Sequence, residues 1–180
     1  MKLIYAIPFF LLISCGGSTP DDSGTQNFNA TDSIKEFEMN EGRLSAVDFN
    51  NELTLMQERT LDLVYTLFQS DSSNIDLNLE NALFEININF NRLYEMKAPN
   101  QGDRYLETMM TLMDWYESEL NNRFTTIVIP LIKKSELTKK DHETLESYDT
   151  EFAMFEKIWC DEVFVAQENF AKANNIKLEE

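Results

Sequence analysis

Residues 145–170 read LESYDTEFAMFEKIWCDEVFVAQENF and decide the fold class of this chain. Apolar residues recur there at intervals of three and four over about seven turns, and neither Pro nor Gly interrupts them. Such intervals are the period of an α-helix with one buried face. The pattern predicts a buried face made of Leu145, Tyr148, Phe152, Phe155, Trp159, Val163, Ala166 and Phe170.

Three segments upstream show the same period. Their predicted core residues are Phe49, Leu53, Met56, Thr60, Leu63 and Leu67 in the first, Leu79, Leu83, Ile86, Phe90 and Leu93 in the second, and Leu106, Met109, Met113, Tyr116, Leu120, Phe124, Ile127 and Leu131 in the third. In the second helix, Asn89 is predicted to lie on the opposite, polar face. The short loops between segments require neighbouring helices to run antiparallel. We therefore expect an all-α, up-down-up-down antiparallel four-helix bundle over residues 43–180.

Helix ends carry recognisable capping residues. Ser45 precedes Asp48 by three residues, and Thr138 precedes Asp141 by three, so both pairs are predicted to cap helices. The run Thr125–Ile129 is β-branched and Pro130 follows it, which by propensity favours a strand. Ile127 and Leu131 nevertheless continue the core rhythm. We therefore prefer a helix kinked at this point, with its continuity through Pro130 left open.

The first fourteen residues have the layout of a removable signal. Lys2 gives a basic start, and an apolar run over residues 3–13 is too short to span a bilayer. The run ends in Leu12-Ile13-Ser14-Cys15, which resembles the lipobox of bacterial lipoproteins. The resemblance implies cleavage after residue 14 and acyl chains on Cys15, with Gly16 in the position typical of an outer-membrane address. The alternatives are a generic secretory signal with an incidental cysteine and a buried N-terminal segment.

Residues 15–42 are rich in Gly, Ser, Thr, Asn and Asp, so this stretch is expected to be a flexible linker. Within it, residues 34–39 could instead dock on the bundle as an arm. The organisation is therefore a signal peptide over 1–14, a lipidated cysteine with its linker over 15–42, and the bundle.

Composition excludes several classes of function. With 32 acidic and 15 basic residues, the 180-residue chain has a net charge of −17, which opposes nucleic-acid binding. Ferritin-like di-metal sites need inward Glu residues and Glu-x-x-His motifs. The single histidine, His142, lies off the predicted core face, and no acidic residue occupies a predicted core position. Cys160 is predicted to be buried and inert. We expect no catalytic centre, no metal and no cofactor.

Two surface features are candidates for binding. Trp115, Tyr116 and Trp159 could line a groove between the third and fourth helices for a flat or apolar ligand. Lys133, Lys134, Lys139 and Lys140 cluster at the third loop, a basic tip that could contact an anionic protein or glycan. Ordinary core packing and a solvated loop are the respective alternatives.

The architecture, together with residues 167–176 (QENFAKANNI), resembles helical-bundle surface lipoproteins of unknown function from Bacteroidota and spirochaetes. The resemblance implies attachment to the membrane through acyl chains on Cys15 and brings no catalytic residues. We expect a lipid-anchored envelope protein, most simply a non-enzymatic binding or interaction module. The alternative is a small apolar-ligand carrier that uses the groove between the third and fourth helices.

Overall fold

A computed structural model describes residues 44–178 of the chain, and this part is helical without strands. Helix α1 spans Ala46–Phe68, α2 spans Ile75–Glu95 and α4 spans Lys139–Ala173. Helix α3 begins as Asp103–Glu119, continues as the π-helix Leu120–Val128 and ends with the turn Ile129–Ile132. The lipobox, the linker and the proposed arm lie outside the described residues.

The helices pack in chain order, α1 on α2, α2 on α3 and α3 on α4. Aromatic rings connect the first helix to the last. Phe49 lies 5.2 Å from Phe170, and Phe68 lies 4.5 Å from Phe152, both measured between ring centroids. The start of α1 therefore faces the end of α4, and the predicted antiparallel four-helix bundle is confirmed.

Both predicted caps are present. The Ser45 side chain accepts a hydrogen bond from the Asp48 amide at 3.1 Å. At the start of α4, Thr138 accepts from the Asp141 amide while the Asp141 carboxylate accepts from the Thr138 amide, which completes a capping box. These bonds satisfy amides that lack partners in the first turn of a helix.

The core is filled with large side chains. Phe49, Tyr105, Tyr116, Phe124 and Phe170 are among the largest fully buried residues. Their rings meet other aromatic rings edge-on or tilted at 4.9–6.3 Å, the arrangements that aromatic quadrupoles prefer.

The π-helix resolves the conflict around Pro130. Tyr116, Leu120, Phe124 and Val128 are all buried at a constant interval of four, longer than the 3.6 residues of an α-helical turn. A wider turn keeps all four on one face. Hydrogen bonds five residues back accompany it, from the Ile129 amide to the Phe124 carbonyl and from the Thr125 hydroxyl to the Leu120 carbonyl at 2.7 Å. The chain is thus helical through Pro130, as preferred from the sequence.

The centre of the buried face differs from the expected register at several places, where the predicted residues are half-buried against the core. Val128 replaces Ile127 and Leu131 as the buried residue near the end of α3, because the π-helix shifts the face. Similarly, Val64 is buried in place of Leu63, and Tyr105 in place of Leu106.

Two further corrections concern polar residues. Asn89, predicted to face outward, is only 1% exposed and donates a hydrogen bond to the Thr60 hydroxyl at 3.2 Å. In α4, Phe155 is 39% exposed, while its neighbour Glu156 is half-buried. An acidic residue thus occupies an inward position that the sequence pattern had assigned to an aromatic one.

No helix within residues 44–178 is long and apolar enough to span a membrane.

Candidate binding surfaces

Two of the three aromatic residues of the predicted groove, Trp115 and Tyr116, lie at the contact between α3 and α4. The Trp115 ring lies 4.9 Å from Tyr116 and 5.1 Å from Phe152, so it packs against the core. Tyr116 is fully buried, and Trp115 and Trp159 are half-buried. The two open grooves described below are lined by other residues, so a ligand site at these aromatics stays a prediction.

A polar cluster surrounds the buried end of Tyr116. Its hydroxyl donates a hydrogen bond to the Glu156 Oε1 at 2.7 Å. Burial raises the pKa of the Glu156 carboxyl, an effect that the hydrogen bond from Tyr116 partly offsets. Burial, helped by the nearby Glu156, also raises the pKa of the Cys160 thiol to about 12. Cys160 is therefore a protonated thiol at neutral pH, and thiolate chemistry is unfavourable there.

Sequence reasoning missed Glu156. The spacing of α4 contains two consecutive intervals of four. These fit Phe152, Glu156 and Cys160 as well as the predicted Phe155, Trp159 and Val163. That ambiguity is the signal that could have revealed the inward carboxylate.

The lysines of the basic tip are largely paired with acids. Lys133 contacts Asp76 at 2.6 Å, which ties the end of α3 to the start of α2. Lys134 contacts Asp141 at 2.7 Å, and Lys139 contacts Glu143 at 3.4 Å. Within residues 44–178, Lys140 alone of the four has no acidic group within 4 Å. The tip is therefore close to neutral rather than a free cationic surface.

Asp141 combines two roles in this loop. Its hydrogen bond from Lys134, followed by those from the Thr138 amide and hydroxyl, lowers the pKa of its carboxyl to about 2. His142 is half-buried next to it, and its amide donates to the Thr138 carbonyl. The part of the chain that the structure describes contains no group of three or more His, Cys, Asp or Glu residues that could hold a metal ion.

The outer face of α4 exposes several apolar residues. Met154, Phe155, Ile158 and Val165 are 52%, 39%, 47% and 52% exposed, and the charged residues Asp161 and Glu162 lie between the last two. At 1.5 Å per residue they extend over about 16 Å of the helix. We call these four residues the α4 outer face.

Two open grooves lie between helices elsewhere. The α1–α2 groove, of about 540 Å³, contains Glu52, Glu95, Arg92 and Lys97 among its lining residues. Glu52 and Arg92 form an ion pair across it.

The α2–α3 groove has a volume of about 510 Å³. Its lining consists of apolar Leu79, Leu83 and Phe84, acidic Asp76, Glu80 and Glu117, and the amides Asn87 and Asn121. No basic residue of the described chain lines it.

A scan against protein-family models, a search of curated proteins and a search of solved structures each found no match for this chain. Function must therefore be argued from the residues themselves.

Proposed function

We propose that this chain is a lipid-anchored protein of the bacterial cell envelope, held in the outer membrane by acyl chains on Cys15. We further propose that it acts as a non-enzymatic binding module. The lipobox-like sequence of residues 12–15 supports the anchor. The α4 outer face supports the binding role and is the observation that carries it.

The argument from the α4 outer face is one of unused apolar surface. The inner side of α4 already buries Phe152, Val163 and Phe170, and the four outer residues are not among the residues that pack against that core. Met154, Phe155 and Ile158 are neighbours on adjacent turns, and adjoining exposed apolar residues on a folded domain typically mark a contact with another molecule. Met154, Ile158 and Val165 repeat at intervals of four and seven residues, the spacing at which a helix presents anchors to a partner.

Crosslinking tests the binding role in the native envelope. A photoreactive amino acid at Ile158 in the full-length chain is expected to yield a discrete crosslinked product. The same group at Glu146, which is exposed elsewhere on α4, serves as the control and is expected to give none. Equal labelling from both positions would contradict a specific contact at the α4 outer face.

The anchor has its own test, for which the chain supplies a matched control. It contains two cysteines, Cys15 and Cys160. Cells fed an alkyne-tagged fatty acid should label the wild type and the Cys160→Ser variant alike, and Cys15→Ser should remain unlabelled. Label retained in Cys15→Ser would refute acylation at that residue.

A further inference from the structure

We propose that the α2–α3 groove binds a basic polypeptide segment, seating Arg or Lys side chains between its carboxylates. This site is separate from the α4 outer face and from Cys15. Failure of the proposed function would therefore leave it standing, and its own failure would leave the proposed function untouched.

The groove has an apolar floor that ends in an unusually exposed ring. Leu79 and Leu83 are half-buried along α2, whereas Phe84 is 67% exposed. A Phe ring so open to water contributes little to the packing of its own helix. Its face is available to a cation, and guanidinium groups in particular favour such a position.

The groove has three carboxylates, and the two along its length come from different helices and lack cationic partners. Glu80 lies on α2 and Glu117 on α3, and neither has a Lys, Arg or His group within 4 Å in residues 44–178. Asp76, at the end of the groove, is paired with Lys133. Two uncompensated negative charges thus remain along the groove.

Comparison with the α1–α2 groove shows that this arrangement is local. That groove is similar in volume and also contains acids, but Arg92 neutralises Glu52 and Lys97 adds a second cation. General acidity of the chain therefore does not account for the α2–α3 groove.

The dimensions favour a peptide over a small organic cation. Between Asp76 and Asn87 the groove follows eleven residues of α2, about 16 Å, which corresponds to about five residues of extended chain. The aliphatic stem of Arg or Lys can lie on Leu79 and Leu83 while its charged head reaches a carboxylate. The amides of Asn87 and Asn121 offer both donors and acceptors to a peptide backbone.

Binding of a defined probe to the full-length chain in detergent tests this proposal. The probe is the acetylated, amidated peptide Arg-Leu-Arg-Leu-Arg carrying a fluorescent label, and its uncharged counterpart is Gln-Leu-Gln-Leu-Gln. Anisotropy titration is expected to show saturable binding of the first peptide and at least tenfold weaker binding of the second. Absence of saturable binding by the Arg peptide, or equal binding of both, would overturn the proposal.

Matched variants separate a site from general electrostatics. The double variant Glu80→Gln/Glu117→Gln is expected to weaken binding at least tenfold. Glu146→Gln/Glu168→Gln removes the same charge from exposed positions of α4 and should change affinity less than twofold. Phe84→Leu keeps an apolar residue and removes the π face, so a loss of about threefold is expected. An equal loss of affinity in both double variants would show that the peptide responds to the overall charge of the chain, and would refute a specific site in the groove.

Discussion

At the scale of single residues, the hydrogen bond of 2.7 Å between the Tyr116 hydroxyl and Glu156 is the most informative contact. The carboxylate lies half-buried where α3 meets α4, and Asp149 further disfavours its charge. Removal of a carboxylate from water without a cation is costly. The ionised Glu156 carboxylate thus destabilises an otherwise apolar contact between α3 and α4.

This destabilisation predicts that the effect of Glu156→Gln on the free energy of unfolding depends on pH. Because the folded-state pKa is raised above the ordinary value of 4.5, the favourable contribution of Glu156 is present below that value and is lost as pH rises through the folded pKa. Gln cannot ionise and still offers an oxygen to Tyr116. We expect the variant to be more stable than the wild type at pH 7 and nearly equal to it at pH 4, as measured by urea unfolding.

The control is Glu146→Gln, an exposed position on the same helix. It should leave the unfolding midpoint almost unchanged at both pH values. A Glu156→Gln variant that is less stable at pH 7 would show that the charged form of Glu156 supports the fold.

Periodicity could not have placed Glu156 with certainty. A pattern of apolar residues identifies the stripe on α4 but assigns each inward position to the most apolar candidate, here Phe155. Inward placement of the Glu156 carboxylate depends on a hydroxyl from another helix. The prediction for Asn89 was wrong for the same reason, since Asn89 is buried with a hydrogen bond to Thr60 of another helix. Polar residues buried by long-range partners lie beyond a local pattern.

At the scale of elements, local chemistry predicts helix ends well. The caps at Ser45 and Thr138 involve residues close in sequence, so their signals are complete within a few positions. The π-helix of α3 differs, because packing of its buried face against other helices contributes to favouring a wide turn over a strand or a regular α-helix. The sequence pattern therefore predicted a helix in this segment but not that the helix would be a π-helix.

The capping box of α4 is a testable stabilising element. Thr138→Ala removes the hydroxyl that accepts from the Asp141 amide and donates to its carboxylate. We expect the free energy of unfolding to fall by about 1 kcal/mol. Urea denaturation measures this value. Thr150→Ala, at an exposed mid-helix position, should have a clearly smaller effect. Equal losses of stability in the two variants would mean that the Thr138 cap stabilises the fold no more than an ordinary threonine in a helix.

At the scale of the whole molecule, charge dominates the surface. The 32 acidic residues exceed the 15 basic ones, so most carboxylates must repel one another. The described ion pairs are mostly exposed and contribute little individually. The bundle itself was predictable from four periodic segments. The α2–α3 groove was not, because it depends on how two separate helices align Glu80 and Glu117.

Repulsion among acids predicts stabilisation by salt. When NaCl increases from about 0.02 M to about 0.3 M, the screening length shortens and the urea midpoint is expected to rise. KCl should act equally, since screening does not depend on the cation. A midpoint that falls with salt would mean that the attractive ion pairs outweigh the repulsion.

The contact between Phe49 and Phe170 has a consequence for engineering the molecule. Because residues 44 and 178 lie at the same end of the bundle, a short linker can join them into a closed chain. This closed chain can then be opened between Ser135 and Glu136, which are both exposed. This circular permutant is expected to keep the helical circular dichroism of the wild type. With residues 1–43 attached to its new first residue, it would stand inverted on the proposed Cys15 anchor and present the opposite end of the bundle to the membrane.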